Sequence, residues 1–212
     1  MKSLWSVIIA VFVALAPSLA SAQDVLWERR YGGVYNEGGF AGARLPDGGY
    51  ALLGSTFSYG AGDHDIFLVR VDSLGQTQWS RTYGGSDTDY GYDIQPTVDG
   101  GFVLTGVTRS SGAGKGDVCL IKVDSLGALQ WQKTYGGAER DEGWSVRQTI
   151  DRGYIIGGTT GSFGAGYTDM YLLKVDSLGA LQWQRTYGGA GGENGAAVRL
   201  TPDGGFALVG ST

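Results

Sequence analysis

Seven carboxylates recur at a fixed interval of 52 residues, and their type and spacing make them the first candidates for chemistry. Glu37, Asp89, Asp141 and Glu193 each follow a Tyr-Gly-Gly turn, while Asp65, Asp117 and Asp169 each close a Gly-rich loop. Three chemistries use such a set. In the first, a carboxylate in a Gly-rich turn accepts backbone N–H bonds. With Thr56, Thr108, Thr160 and Thr212 at the same interval it would build a hydrogen-bond network inside each copy. In the second, two carboxylates brought together repel unless a cation intervenes, and oxygen ligands on loops suit calcium. Asp63 and Asp65, in the run Asp63-His64-Asp65, are the calcium candidates, although the Gly spacing of known calcium loops is missing. In the third, two acids across one substrate suit glycoside hydrolysis, which needs one raised and one ordinary pKa. Copies in register give every acid the same surroundings, so catalysis is expected to rest on unit-specific acids such as Asp87, Glu139 and Glu142 or on sequence beyond Thr212.

Other reactive side chains are few. His64 is the only histidine and occupies a loop position held by Gly116 and Thr168 in the next copies, which reads as a solvated side chain and leaves no Ser-His-Asp set. Cys119 is the only cysteine, so a disulfide framework and a multi-thiolate metal site are excluded. It takes the place of Phe67 and Tyr171, which predicts a small buried apolar group. Phe40, Tyr92 and Trp144 share one register position near the acids, with Ala196 in the last copy. Aromatic faces beside polar loops suit a sugar or a peptide; the competing use is packing between neighbouring units.

These residues are positioned by one unit copied without insertion or deletion. Trp27 to Gly33 returns at Trp79, Trp131 and Trp183, and each copy carries Tyr31, Tyr83, Tyr135 or Tyr187 four residues after its Trp. Asp47-Gly48-Gly49 returns as Asp99-Gly100-Gly101, Asp151-Arg152-Gly153 and Asp203-Gly204-Gly205. Within the second unit four runs read as strands: 92–97, 102–108, 117–123 and 129–135, separated by turn chemistry. The third run is apolar at consecutive positions, as in Val118-Cys119-Leu120-Ile121, which predicts cover on both faces. Four antiparallel strands in a repeat of this length point to an all-β fold, a β-propeller of four-stranded blades. In such a meander the two acid sets share one end and the Asp-Gly-Gly and Asp-Ser-Leu-Gly turns the other. Arg29, Arg81, Lys133 and Arg185, with Arg70, Lys122 and Lys174, fall on the outer two strands and predict a solvated edge.

Glycine accounts for 39 of the 212 residues without a triplet period, so it serves turns and not a collagen helix. The net charge of −5 argues against nucleic acid as a partner. Residues 1–22 read as a secretory signal: Lys2, an apolar run from Val7 to Ala16 too short to span a membrane, then Ala20-Ser21-Ala22. The repeats then occupy residues 23–212, with no membrane span once the leader is removed.

The order of Asp-Gly-Gly hairpin, apolar strand ending in Gly-Ser-Thr, Asp-led strand and Asp-x-x-Gly-x-x-x-Trp is similar to the WD-repeat layout. Its last element resembles the tryptophan-docking motif of quinoprotein-type propellers, although the adjacent cysteines of many such enzymes are missing. As a whole the unit resembles the repeats of about 50 residues in secreted bacterial surface proteins, with Trp-x-Lys/Arg-x-Tyr-Gly-Gly and Asp-Gly-Gly-Tyr/Phe signatures. The resemblance implies that the strand after Tyr-Gly-Gly is innermost, that the Trp strand is outermost, and that Leu26 to Tyr31 is an outermost strand of the kind that completes a last blade. The fourth unit carries only two strands before Thr212, so an incomplete propeller of about three and a half blades is expected, a fragment or an open arc. The function expected is non-catalytic binding of a protein or glycan outside the cell, without a cofactor unless calcium; a secreted carbohydrate-active enzyme is the alternative.

Overall fold

A computed structural model describes residues 27–212 and the two-residue strand Ile9–Ala10. The leader assigned to residues 1–22 otherwise lies outside the described residues. Strand β1 is Ile9–Ala10 and pairs with β2, Glu28–Arg29. Three four-stranded antiparallel meanders follow, each in sequential order. The first holds β3 (Glu37–Arg44), β4 (Tyr50–Thr56), β5 (Asp65–Val71) and β6 (Thr77–Tyr83). The second holds β7 (Asp89–Pro96), β8 (Phe102–Thr108), β9 (Asp117–Val123) and β10 (Leu129–Tyr135). The third holds β11 (Asp141–Gln148), β12 (Tyr154–Thr160), β13 (Asp169–Val175) and β14 (Leu181–Tyr187). A partial fourth sheet pairs β15 (Asn194–Leu200) with β16 (Phe206–Ser211). The protein is thus all-β, with the architecture of a partial propeller.

The core lies in the layers between sheets, which explains the unbroken apolar runs. Successive side chains of a strand point to opposite faces. Leu104, Cys119 and Ile121 therefore pack against Leu53, Ile66 and Leu68 of the first sheet. Their neighbours Val103, Val118 and Leu120 pack against Val146, Ile156 and Leu173 of the third. Every residue of β9 is buried.

Each layer is also stitched by the outermost strand of one sheet to a turn of the next. The Tyr83 hydroxyl donates to the Gly127 carbonyl at 2.7 Å, and Tyr135 donates to Gly179 at 2.7 Å. Trp79 and Trp131 lie under the same two glycines. Trp27 and Tyr31 occupy the matching places on the first sheet: the indole donates to Ser73 at 3.0 Å and the phenol to Gly75 at 2.8 Å. Trp183 packs on Phe206, whereas Tyr187 is left exposed. Of the segment expected to complete a blade, the described residues Trp27 to Tyr31 hold the short β2, whose strand partner is β1.

The expectation of a solvated basic edge fails at three residues. Arg70, Lys122 and Lys174 stand on the third strand of each sheet and are buried. Each pairs with the turn aspartate before the second strand: Arg70 with Asp47, Lys122 with Asp99 at 2.9 Å, Lys174 with Asp151 at 2.8 Å. Lys122 and Lys174 also donate to the Val123 and Val175 carbonyls, so the buried ammoniums are satisfied. Burial pushes the Asp99 carboxyl up, but the Thr97 hydroxyl, Lys122 and the Gly101 amide outweigh it and hold it at about 2. Lys174 and Thr149 bring Asp151 to about 2 as well. Their folded-state pKa values lie below the unfolded value of about 4, so this stabilisation is complete above pH ~4 and is lost as the pH falls towards 2. Urea titrations across that interval are expected to show the loss, and the double change Lys122→Met, Lys174→Met to flatten it.

Candidate functional site

Register places the acids. Glu37 pairs with Thr56 and Thr56 with Asp65, while Arg44, Tyr50 and Val71 align at the far end of the same strands. The same pairing recurs as Asp89, Thr108 and Asp117, and as Asp141, Thr160 and Asp169. Both acid sets therefore stand at one end of the sheets and the Asp-led hairpin turns at the other.

At this end the carboxylates are acceptors. Asp65 Oδ2 takes the Ala61 and Gly62 amides at 3.0 and 3.1 Å; Asp117 and Asp169 take the equivalent pairs. Asp141 Oδ2 accepts from the Gly137 amide at 2.9 Å and the Ser162 hydroxyl at 2.6 Å, while its Oδ1 accepts from the Thr160 hydroxyl. Asp89 repeats the Oδ2 contacts with Gly85 and Ser110, but its buried Oδ1 has no partner. Glu37 accepts from Gly33 and Thr56, and Glu193 from Gly189. These bonds hold the Tyr-Gly-Gly turn and the Gly-rich loop of each copy in shape.

The two acid sets also meet across each layer. A β-carbon on Gly84 would lie 2.2 Å from Asp65 Oδ1 and 2.6 Å from Asp89 Oδ2, so one glycine is all that separates two buried carboxylates. Gly136 separates Asp117 from Asp141, and Gly188 separates Asp169 from Glu193, in the same way. Burial raises the Asp65 pKa, its two loop amides oppose this, and Asp89 adds to the rise. Asp63 is exposed and stands outside the pair, and among the described residues no three metal-ligating side chains converge.

The aromatic residues show what the sequence reading missed. In every sheet the innermost strand carries a β-bulge, between Gly39 and Ala41, Gly91 and Asp93, Gly143 and Ser145, and Gly195 and Ala197. The extra residue at each bulge is Phe40, Tyr92, Trp144 or Ala196. A bulge leaves its residue out of the ladder and re-aims the side chain. The three aromatic ones consequently form one patch: Tyr92 stacks on Trp144 with centroids 4.1 Å apart and planes 9° apart, and Phe40 meets Tyr92 edge-on at 5.4 Å. Phe40 is 49% exposed and Trp144 36%. Tyr90, His64, Phe57 and Tyr35 extend the patch by successive ring contacts of 5.0 to 6.3 Å. His64 is thus half-buried between Phe57 and Tyr90 rather than free in solvent. A polar rim borders the stack: the Tyr92 hydroxyl donates to Glu142, which Arg140 also engages. Burial, with Glu142 beside it, pushes the Tyr92 phenol up to about 12. The signal available in the sequence was Gly-x pairs, Gly39-Phe40 and Gly91-Tyr92, at the same place in each copy.

No family model and no curated relative matches the chain. A likeness appears among solved structures. A crystal structure of a protein of unknown function from Bacteroides caccae superposes with a TM-score of 0.57 at 10% sequence identity, over 88% of this chain and 57% of that one. The chain therefore spans little more than half the length of that protein, and the likeness carries the fold alone.

Proposed function

We propose that the protein is a non-catalytic binding module that acts outside the cell and takes a protein or glycan on the aromatic patch of its acid end. The observation that carries this reading is the alignment of three bulges, which sets Phe40, Tyr92 and Trp144 side by side and half-exposed beside hydroxyl, carboxylate and guanidinium groups. Exposed aromatic area of this kind, rimmed by polar groups, is the usual mark of an interaction surface. The repeated acids support the same reading, because every one of them is engaged as a hydrogen-bond acceptor by its own turn or loop. The leader-like residues 1–22 and the likeness of the repeat to those of secreted bacterial propellers point to the exterior of the cell.

The test is a screen of the full chain against immobilised glycans and extracellular peptides, repeated with Trp144→Ala. Loss of the stacked indole is expected to weaken a bound ligand about tenfold, the equivalent of 1.4 kcal/mol. A ligand bound equally by both proteins would remove the patch from the account. Turnover of a polysaccharide, abolished by changing Glu142 alone, would replace the binding module with an enzyme.

A further inference from the structure

The repeat supplies an internal control for finding a second site. Where neighbouring layers use the same residues, a departure confined to one of them marks something that layer does alone. At the turn end, far from the aromatic patch, a cleft of about 560 Å³ opens between the second and third sheets. Its walls include Gln148, Arg152 and Tyr154, where the layer between the first and second sheets has Pro96, Gly100 and Phe102. All three departures add a hydrogen-bonding group, and one adds a charge.

Arg152 is the most telling of them. Its φ is +63°, whereas the residues at that place in the other copies are Gly48, Gly100 and Gly204, at +84°, +82° and +83°. A left-handed conformation is costly for a side chain with a β-carbon, and residues held in it cluster at ligand clamps and other functional sites. The fold gives no structural reason for the change: Arg152 is exposed and has no ion-pair partner among the described residues. Of the turn carboxylates at this end, Asp99 is held by Lys122 and Asp151 by Lys174, while Asp176 accepts the Leu178 and Ala180 amides. The Arg152 guanidinium is left to face an incoming anion.

The rest of the cleft narrows the class of that anion. Gln148 Oε1 accepts the Val98 amide at 2.9 Å, and its amide group stands beside the Tyr154 hydroxyl, so that the two form one polar wall of the cleft. Gln130 and Ser177 add further amide and hydroxyl groups on the walls. The half-buried indole of Trp131, braced edge-on by Tyr154 at 5.8 Å, offers an apolar surface between them. One cation for a carboxylate, several uncharged groups for hydroxyls and an aromatic surface for C–H bonds match a charged sugar better than a peptide. We propose that this cleft binds a uronic acid residue of an acidic polysaccharide, with Arg152 holding the carboxylate. The site is independent of the aromatic patch.

The probe is a galacturonate hexasaccharide titrated into the full chain by calorimetry, with the galactose hexasaccharide as its neutral counterpart. The native protein is expected to bind the acidic sugar at least about tenfold more tightly than the neutral one, with affinity falling as salt is added. Arg152→Gly restores the residue of the other copies, so it is expected to melt no lower than the native protein while losing that preference. Arg152→Lys keeps the charge and is expected to retain part of it. No preference in the native protein, or a preference that survives in Arg152→Gly, would overturn the proposal. An Asp hexapeptide bound as tightly as the galacturonate would overturn the sugar assignment.

Discussion

Gly106→Ala is expected to destabilise the protein by about 3 kcal/mol or more, read as a fall in the urea midpoint. Gly106 pairs with Gly91 immediately before the bulge that carries Tyr92. A β-carbon there would stand 1.8 Å from the Tyr90 carbonyl oxygen and 2.8 Å from its carbon, both backbone atoms that no rotamer change can move. Relief requires the first two strands to part, and on the other side of Gly91 stand Ile66 and Leu53, within 3.0 Å of where a β-carbon on Gly91 would lie. The control is Gly100→Ala at the neighbouring turn. Its φ of +82° is unfavourable for alanine, but nothing lies within 4 Å, so a loss of about 1 kcal/mol is expected from conformation alone. A similar loss at both sites would show that the bulged strand can shift, and the fixed geometry assigned to the aromatic patch would fall with it.

Asp141→Asn is expected to cost about 2–3 kcal/mol, and Asp89→Asn less than about 1 kcal/mol, although the two residues hold the same place in neighbouring sheets. The Gly137 amide and the Ser162 hydroxyl require an oxygen at the Oδ2 position of residue 141, so the new amide nitrogen must face Thr160. Thr160 Oγ cannot receive it, because it already accepts the Ser162 and Phe163 amides at 3.1 and 3.2 Å. A buried donor would meet a donor. At residue 89 the corresponding Oδ1 has no partner to lose. The measurement is paired urea titration, and equal losses would refute the distinction between the two copies.

Much of the fold was readable because turn chemistry brackets the strands. The runs proposed at 102–108, 117–123 and 129–135 coincide with β8, β9 and β10, each set between Asp-led or Gly-rich turns. The first strand of the unit begins at Asp89, three residues before the run proposed from Tyr92, since Asp89, Tyr90 and Gly91 carry no alternating pattern. The bulge beside them is a matter of pairing count, which periodicity in one strand does not reveal. The buried cations were misread from residue type alone. Lys122 sits inside the apolar run that ends at Val123, and that run already predicts burial. Its partner Asp99 lies 23 residues upstream, the same offset as Asp47 to Arg70 and Asp151 to Lys174. For the candidate site, repetition showed which acids lie together, but the joining of Phe40, Tyr92 and Trp144 depends on the twist between sheets, which no spacing within one chain expresses.

Cys119 replaces the ring that Phe67 and Tyr171 place in the neighbouring sheets, and its residue is 1% exposed in the layer between the first and second sheets. Burial, with Asp89 adding to it, raises the thiol well above its ordinary pKa, so the reactive thiolate is scarce while the layer stays closed. The chain has no second thiol to confuse the reading. Labelling by an external alkylating agent therefore runs at the rate at which that layer opens, or in proportion to its open population when reclosing is fast. The protein carries its own stopwatch for the parting of two blades, fixed at one known joint and usable without introducing a probe.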